Sequence, residues 1–187
     1  PPGIPPVRFE SDGECRIETE PDAKPTASGP IPLSADQLAE LRKQMEYYVP
    51  RGFWRPSSSP YAAPILFAPK LRSDGSFDGW RLCVDYRKLN AITKQDKFPL
   101  PNPEVLIAQL SGAKYFTKID LTQFFHQIPI RPEDVPKTAM VSRYGSYEWT
   151  VMPFGLMNAP SVSVQFGARI FHDFLDKFMV IFIDDLL

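Results

Sequence analysis

Two adjacent carboxylates close an unbroken run of six apolar residues, Phe178-Met179-Val180-Ile181-Phe182-Ile183, near the end of a chain of 187 residues. Such a run reads as a buried strand, where an uncompensated charge costs several kcal/mol. Asp184 and Asp185 must therefore either face water in a turn or be neutralised by a cation, and these residues alone leave both readings open. Six apolar residues are also too few to span a bilayer, and no amino-terminal stretch joins a charged start to a long apolar segment. No membrane partner is predicted, and an intracellular, non-secreted protein is expected.

A second stretch has the same form. Lys114 to Ile119 reads as a strand that ends in Asp120, a carboxylate that taken alone reads sooner as an N-cap. If the two strands lie side by side, Asp120 and Asp184 converge. Their oxygens then suit Mg²⁺, and two such ions about 3.5–4 Å apart are the arrangement used in phosphoryl transfer. The net charge of -1 hides a gradient that fits a phosphate-bearing ligand. Residues 1–50 hold five Lys/Arg against nine Asp/Glu, whereas residues 70–97 hold seven against four, with Trp80 and Tyr86 interleaved. On charge alone that segment reads sooner as a solvated strand-and-loop face. Cys15 and Cys83 stand far apart without a metal-ligand spacing, so neither a zinc site nor a disulfide is expected.

The elements predicted along the chain combine strands with helices, an α+β domain. With 21 prolines in the chain, many of them early, residues 1–32 should form an extended lead-in. Ser34-Ala35-Asp36-Gln37 reads as a capping box opening a helix over 35–48. PILFAP (64–69) and WRLCVDY (80–86) should form a hairpin, and Asn102-Pro103 should open a short helix running to Leu110. Further strands are predicted at 114–120, 126–131, 137–142 and 147–151. A helix from about Pro160, with Val164, Ala168, Phe171 and Leu175 on one face, should lead into the strand FMVIFIDD.

Six stretches in this order resemble the reverse transcriptase domain of gypsy-type LTR retrotransposons: GFWRPSSSPYAAPILFAPK (52–70), WRLCVDYRKLN (80–90), FPLP (98–101), YFTKIDLTQFFHQIPI (115–130), YEWTVMPFGLMNAP (147–160) and FIDD (182–185). The resemblance implies a right-hand polymerase: fingers at 33–95 and 131–150, and a partial palm at 96–130 and 151–187, with an antiparallel palm sheet packed on helices and the thumb absent. It implies RNA-directed DNA polymerase activity on dNTPs, with an RNA or DNA template and primer, and with two Mg²⁺ or Mn²⁺ ions. Asp120 and Asp184 match the metal-binding carboxylates, and Asp185 the third acid of the site. Lys70, Arg81 and the backbone at Leu121 match residues that hold the triphosphate. Phe125 matches the aromatic gate against a ribose 2′-hydroxyl, and Phe154 and Gly155 the loop beneath the template and incoming base. His126 and His172 match no ligand and read as structural.

The remaining Pol domains, namely protease, thumb, RNase H and integrase, are the implied partners, and the cytoplasm or a virus-like particle the implied setting. Two departures from the family pattern bear on activity. Phe124 is expected to crowd the nucleotide pocket, and an extra residue after Pro160 is expected to rotate the helix that follows. The chain also stops at Leu187, so the FIDD strand should lack its antiparallel partner. The alternative reading is therefore a catalytically inactive remnant that at most binds nucleic acid.

Overall fold

The predicted capping box forms. In the computed structural model, which describes residues 13–175, 177–183 and 185–187, Ser34 Oγ accepts from Gln37 N at 3.3 Å while Gln37 Oε1 accepts from Ser34 N at 2.9 Å. These bonds satisfy two donors that the first turn of a helix leaves open. Helix α1 (Ala35–Tyr48) follows and buries Leu41. Helix α3 (Pro103–Gln109) opens as expected, with Asn102 Oδ1 accepting from Glu104 N. Between them lie α2 (Arg87–Ile92) and three strands, β1 (Trp54–Pro56), β2 (Ala63–Leu71) and β3 (Phe77–Val84). The remaining elements are β4 (Ile119–Asp120), β5 (Met140–Ser142), β6 (Gly145–Trp149), α4 (Ala159–Ile170), β7 (Ile181–Phe182) and β8 (Asp185–Leu186).

The strands make two sheets. The larger has the order β1-β6-β5-β2-β3, with β2 parallel to β5 and the other pairs antiparallel. The smaller is antiparallel, in the order β4-β8-β7. The predicted β2–β3 hairpin forms and runs further than expected, from Ile65 opposite Val84 to Leu71 opposite Phe77, with a register shift after Lys70. Behind the larger sheet Tyr48, Phe53, Trp54 and Trp149 build an aromatic core, with Trp54 and Trp149 edge to face at 5.1 Å. Among the described residues no helix is long and apolar enough to cross a membrane.

Four local expectations give way. PPGIPP lies outside the described residues; residues 13–32 are largely extended, yet they are built into the core rather than running past it. Cys15 and Ile17 are buried, Cys15 N donates to Pro129 O at 2.8 Å, and Ile17 N donates to Asp134 Oδ2 at 3.0 Å. That buried carboxylate also accepts from Lys137 Nζ at 2.6 Å, which supplies the counter-charge its burial requires. Burial pushes the Cys15 thiol up to about 12, so it is an inert core residue. The strand predicted at 126–131 is replaced at its start by a 3₁₀ turn over Phe124–Gln127. A strand alternates its faces, whereas Phe124, Phe125 and His126 are all buried, and only a tight turn sends three consecutive side chains inward.

The strand predicted at 114–120 shrinks to Ile119–Asp120, and Tyr115 and Phe116 are exposed. The fourth change is to FMVIFIDD, which is not one strand. β7 ends at Phe182 and β8 begins at Asp185, with Phe182 opposite Asp185 and Ile181 opposite Leu186. The two-residue connection holds Ile183 at φ 60 and Asp184, which lies outside the described residues. The FIDD strand thus has an antiparallel partner, contrary to expectation. A positive φ on a β-branched residue is strained, and the tightest hairpin loops need such a conformation.

Candidate active site

The smaller sheet gathers the acids. In the β4·β8 register Asp120 stands directly opposite Asp185, and Ile119 opposite Leu186. Like charges in directly opposed positions repel, so this edge is at its most stable with a cation present. Lys118 supplies one, its Nζ lying 2.9 Å from Asp185 Oδ2. Two carboxylates side by side at a partly exposed edge, with a third acid one residue before Asp185 in sequence, make an all-oxygen donor set that suits a hard divalent ion. No cluster of three Asp, Glu, His or Cys is present among the described residues, which exclude Asp184.

Beside the acids Leu121 packs half-buried against the core, and Gln123 takes a left-handed conformation, φ 51, that turns the chain inward. Phe125 is thereby carried to Phe154, with ring centroids 5.0 Å apart and planes at 50°. Phe125 is buried, whereas Phe154 is 54% exposed, so this aromatic pair has one solvent-facing side. Gly155 follows at φ +95, and a Cβ there would lie 3.3 Å from Val84 O. Both the conformation and the close approach call for glycine.

Two asparagines that sequence reasoning quoted within its motifs, without giving them a role, hold this loop. Asn90 Nδ2 donates to Gly155 O while its Oδ1 accepts from Met157 N, both at 2.9 Å. Asn158 Nδ2 donates to Lys94 O and its Oδ1 accepts from Asp96 N. A side-chain amide can both donate and accept, which is what an irregular loop needs from one neighbour. The signal in the sequence was an Asn at the end of RKLN and another in MNAP, with no turn to explain either.

Lys70 and Arg81 stand elsewhere, on the β2–β3 hairpin of the larger sheet. Arg81 is opposite Ala68 and Lys70 opposite Gly79, so side-chain alternation puts both exposed cations on one face. The basic segment is partly self-neutralised: Arg72 pairs with Asp78 at 2.9 Å and Arg87 with Asp85 at 2.6 Å. The Arg87 guanidinium holds the Asp85 carboxyl down at about 2.

Phe124 does not crowd this region. Its ring is buried against Phe166 of α4, with ring centroids 5.9 Å apart. α4 runs unbroken through the residues after Pro160 and turns Phe166 and Gly167 inward. His126 is structural, as expected. It stacks on Trp149 at 5.0 Å and meets Phe154 at 5.5 Å, both ring nitrogens are buried without a hydrogen-bond partner, and burial pushes its imidazole down to about 4.

Residues 70–187 match the family model for reverse transcriptase (RNA-dependent DNA polymerase). The chain is 36% identical over 174 residues to the Pol polyprotein from transposon opus of Drosophila melanogaster, covering 93% of this chain and 17% of that one. With the Drosophila gypsy Pol polyprotein the identity is 32% over 175 residues, 91% of this chain and 16% of that one. An RNA-directed DNA polymerase homolog of Oenothera berteroana is 42% identical over 107 residues, 57% of this chain and 75% of that protein. A foamy viral protease-reverse transcriptase in complex with RNA/DNA hybrid shares the fold, with a TM-score of 0.79 at 19% identity over 91% of this chain and 22% of that one. The chain belongs to the reverse transcriptase (RNA-dependent DNA polymerase) family, in the form carried by gypsy-type retrotransposons.

Proposed function

We infer that this chain supplies the fingers (33–95 and 131–150) and the first part of the palm (96–130 and 151–187) of an RNA-directed DNA polymerase acting on a primed RNA or DNA template with dNTPs. The observation that supports this best is the register that sets Asp120 against Asp185, one residue after Asp184. In the reaction, the primer 3′-hydroxyl attacks the α-phosphate of the incoming dNTP and pyrophosphate leaves. Asp120 and Asp184 would hold two Mg²⁺ or Mn²⁺ ions, which supply activation of the attacking oxygen and charge stabilisation at the leaving group.

Placement supports the other proposed roles. Arg81, with a planar fork of donors, suits bidentate contact to phosphate, and Lys70 on the same face adds a point charge. The backbone at Leu121, fixed by its packed side chain, offers a donor to the triphosphate. The buried Phe125, braced by Phe154, forms a floor where a ribose 2′-hydroxyl would clash, and Gly155 lets base and backbone approach closely. The test is primer extension with Mg²⁺ or Mn²⁺ by a polypeptide extended from this chain through a thumb. Asp120→Asn is expected to cut incorporation by about a hundred- to a thousandfold, the scale on which removal of a single transition-state stabiliser acts. Equal incorporation by both proteins overturns the assignment.

A further inference from the structure

We propose that Lys118 is a positioning residue, a resident counter-ion that holds Asp185 and weakens the hold of this carboxylate edge on divalent cations. The proposal rests on reading the carboxylates as a metal site. Lys118 lies just before β4, two residues from Asp120, and side chains two apart along an extended chain share a face. Asp185 stands opposite Asp120, yet the ammonium of Lys118 reaches past its own cross-strand position to the diagonal neighbour and meets Asp185 Oδ2 at 2.9 Å. The lysine side chain is 62% and the aspartate 40% exposed, so solvent screens the pair and it adds little to folding stability.

Its consequence is for a second cation. An ion arriving at this edge meets a unit positive charge within a few ångströms and must share the lone pairs of Asp185 with an N–H donor. Asp120 stands directly across the strand pair and is exposed. Lys118 thereby engages Asp185 from the protein's own side, while Asp120 stands across the strand pair from it. The same lysine lowers the like-charge repulsion of the edge when no ion is bound.

The test is calorimetric binding of Mn²⁺ to the 187-residue chain at about 0.1 M salt, for wild type, Lys118→Met, Lys118→Arg and Asp120→Asn. Lys118→Met keeps the apolar stem and is expected to bind Mn²⁺ about three- to tenfold more tightly, the effect of removing one nearby charge in a solvent-screened site. Lys118→Arg should match wild type, and the gain in Lys118→Met should shrink in about 1 M salt. Asp120→Asn should weaken binding strongly. If Asp120→Asn weakens binding while Lys118→Met binds Mn²⁺ no more tightly than wild type, the role of the lysine is overturned and the metal site stands. If Asp120→Asn leaves binding unchanged, the metal site itself fails, and the proposal for Lys118 with it.

Discussion

The two sheets are held in different ways. The five-stranded sheet stands on a closed aromatic core, with Trp54, Trp149, Phe53 and His126 all buried. Its longest ladder, β2–β3, pairs residues from Ile65 to Leu71. The three-stranded sheet has strands of two residues each; Ile181 and Leu186 are buried, but nearby Tyr115 is 93% exposed and Phe178 73%. One region has its stability in a wide aromatic core, whereas the other sets its acids at a short, strained hairpin whose strands bury only Ile181 and Leu186. Low local stability and stored backbone strain are common where a ligand completes a site, because the ligand then supplies the missing interactions.

The contrast can be broken most directly by truncating one aromatic in each region. Trp149→Ala should destabilise the chain by about 3–5 kcal/mol through loss of buried area and the cavity left behind, and Tyr115→Ala by less than about 0.5 kcal/mol. Urea denaturation of both variants checks this, and equal effects would mean that the smaller sheet is as firmly packed as the larger.

Next in size is a pH effect confined to the larger region. His126, held down at about 4 when folded, titrates near 6.5 when unfolded. Below pH 6.5 the unfolded chain therefore takes up a proton that the folded chain does not, and stability falls as the pH drops from about 6.5 to 4. The loss amounts to about 3 kcal/mol over that window. Melting temperatures across it should drop in wild type, and the drop should be smaller in His126→Phe.

The smallest expected effect is a gain in the smaller sheet. Ile183→Gly removes the penalty of a positive φ, about 1 kcal/mol. It should slow hydrogen exchange at the Val180 and Leu187 amides, which bond each other's carbonyls across the hairpin, by about fivefold. Unchanged exchange would show that the turn carries no strain.

Legibility in the sequence follows the same division. Local chemistry was readable: the Ser34 capping box, the Asn102-Pro103 helix start and the β2–β3 hairpin depend on contacts a few residues apart, and each forms. The 3₁₀ turn at Phe124–Gln127 was not readable, because its three inward side chains answer to partners far away in sequence, Phe166, Phe154 and Trp149. Phe124 was expected to crowd the nucleotide pocket, and its ring instead packs on Phe166, more than forty residues on. Asn90 and Asn158 could not be recognised as clamps until the loop they hold was beside them.

The sequence by itself determined which residues are acidic, where apolar runs end, and the order of motifs by which the family is recognised. Spacing and composition are local properties and survive without a fold. Only the tertiary structure decided that FIDD turns back on itself, that Asp120 faces Asp185, and that Lys118 leans across to the acid. Strand register is a property of two segments at once, set by side-chain packing on both, and Ile119 opposite Leu186 fixes the acids beside them.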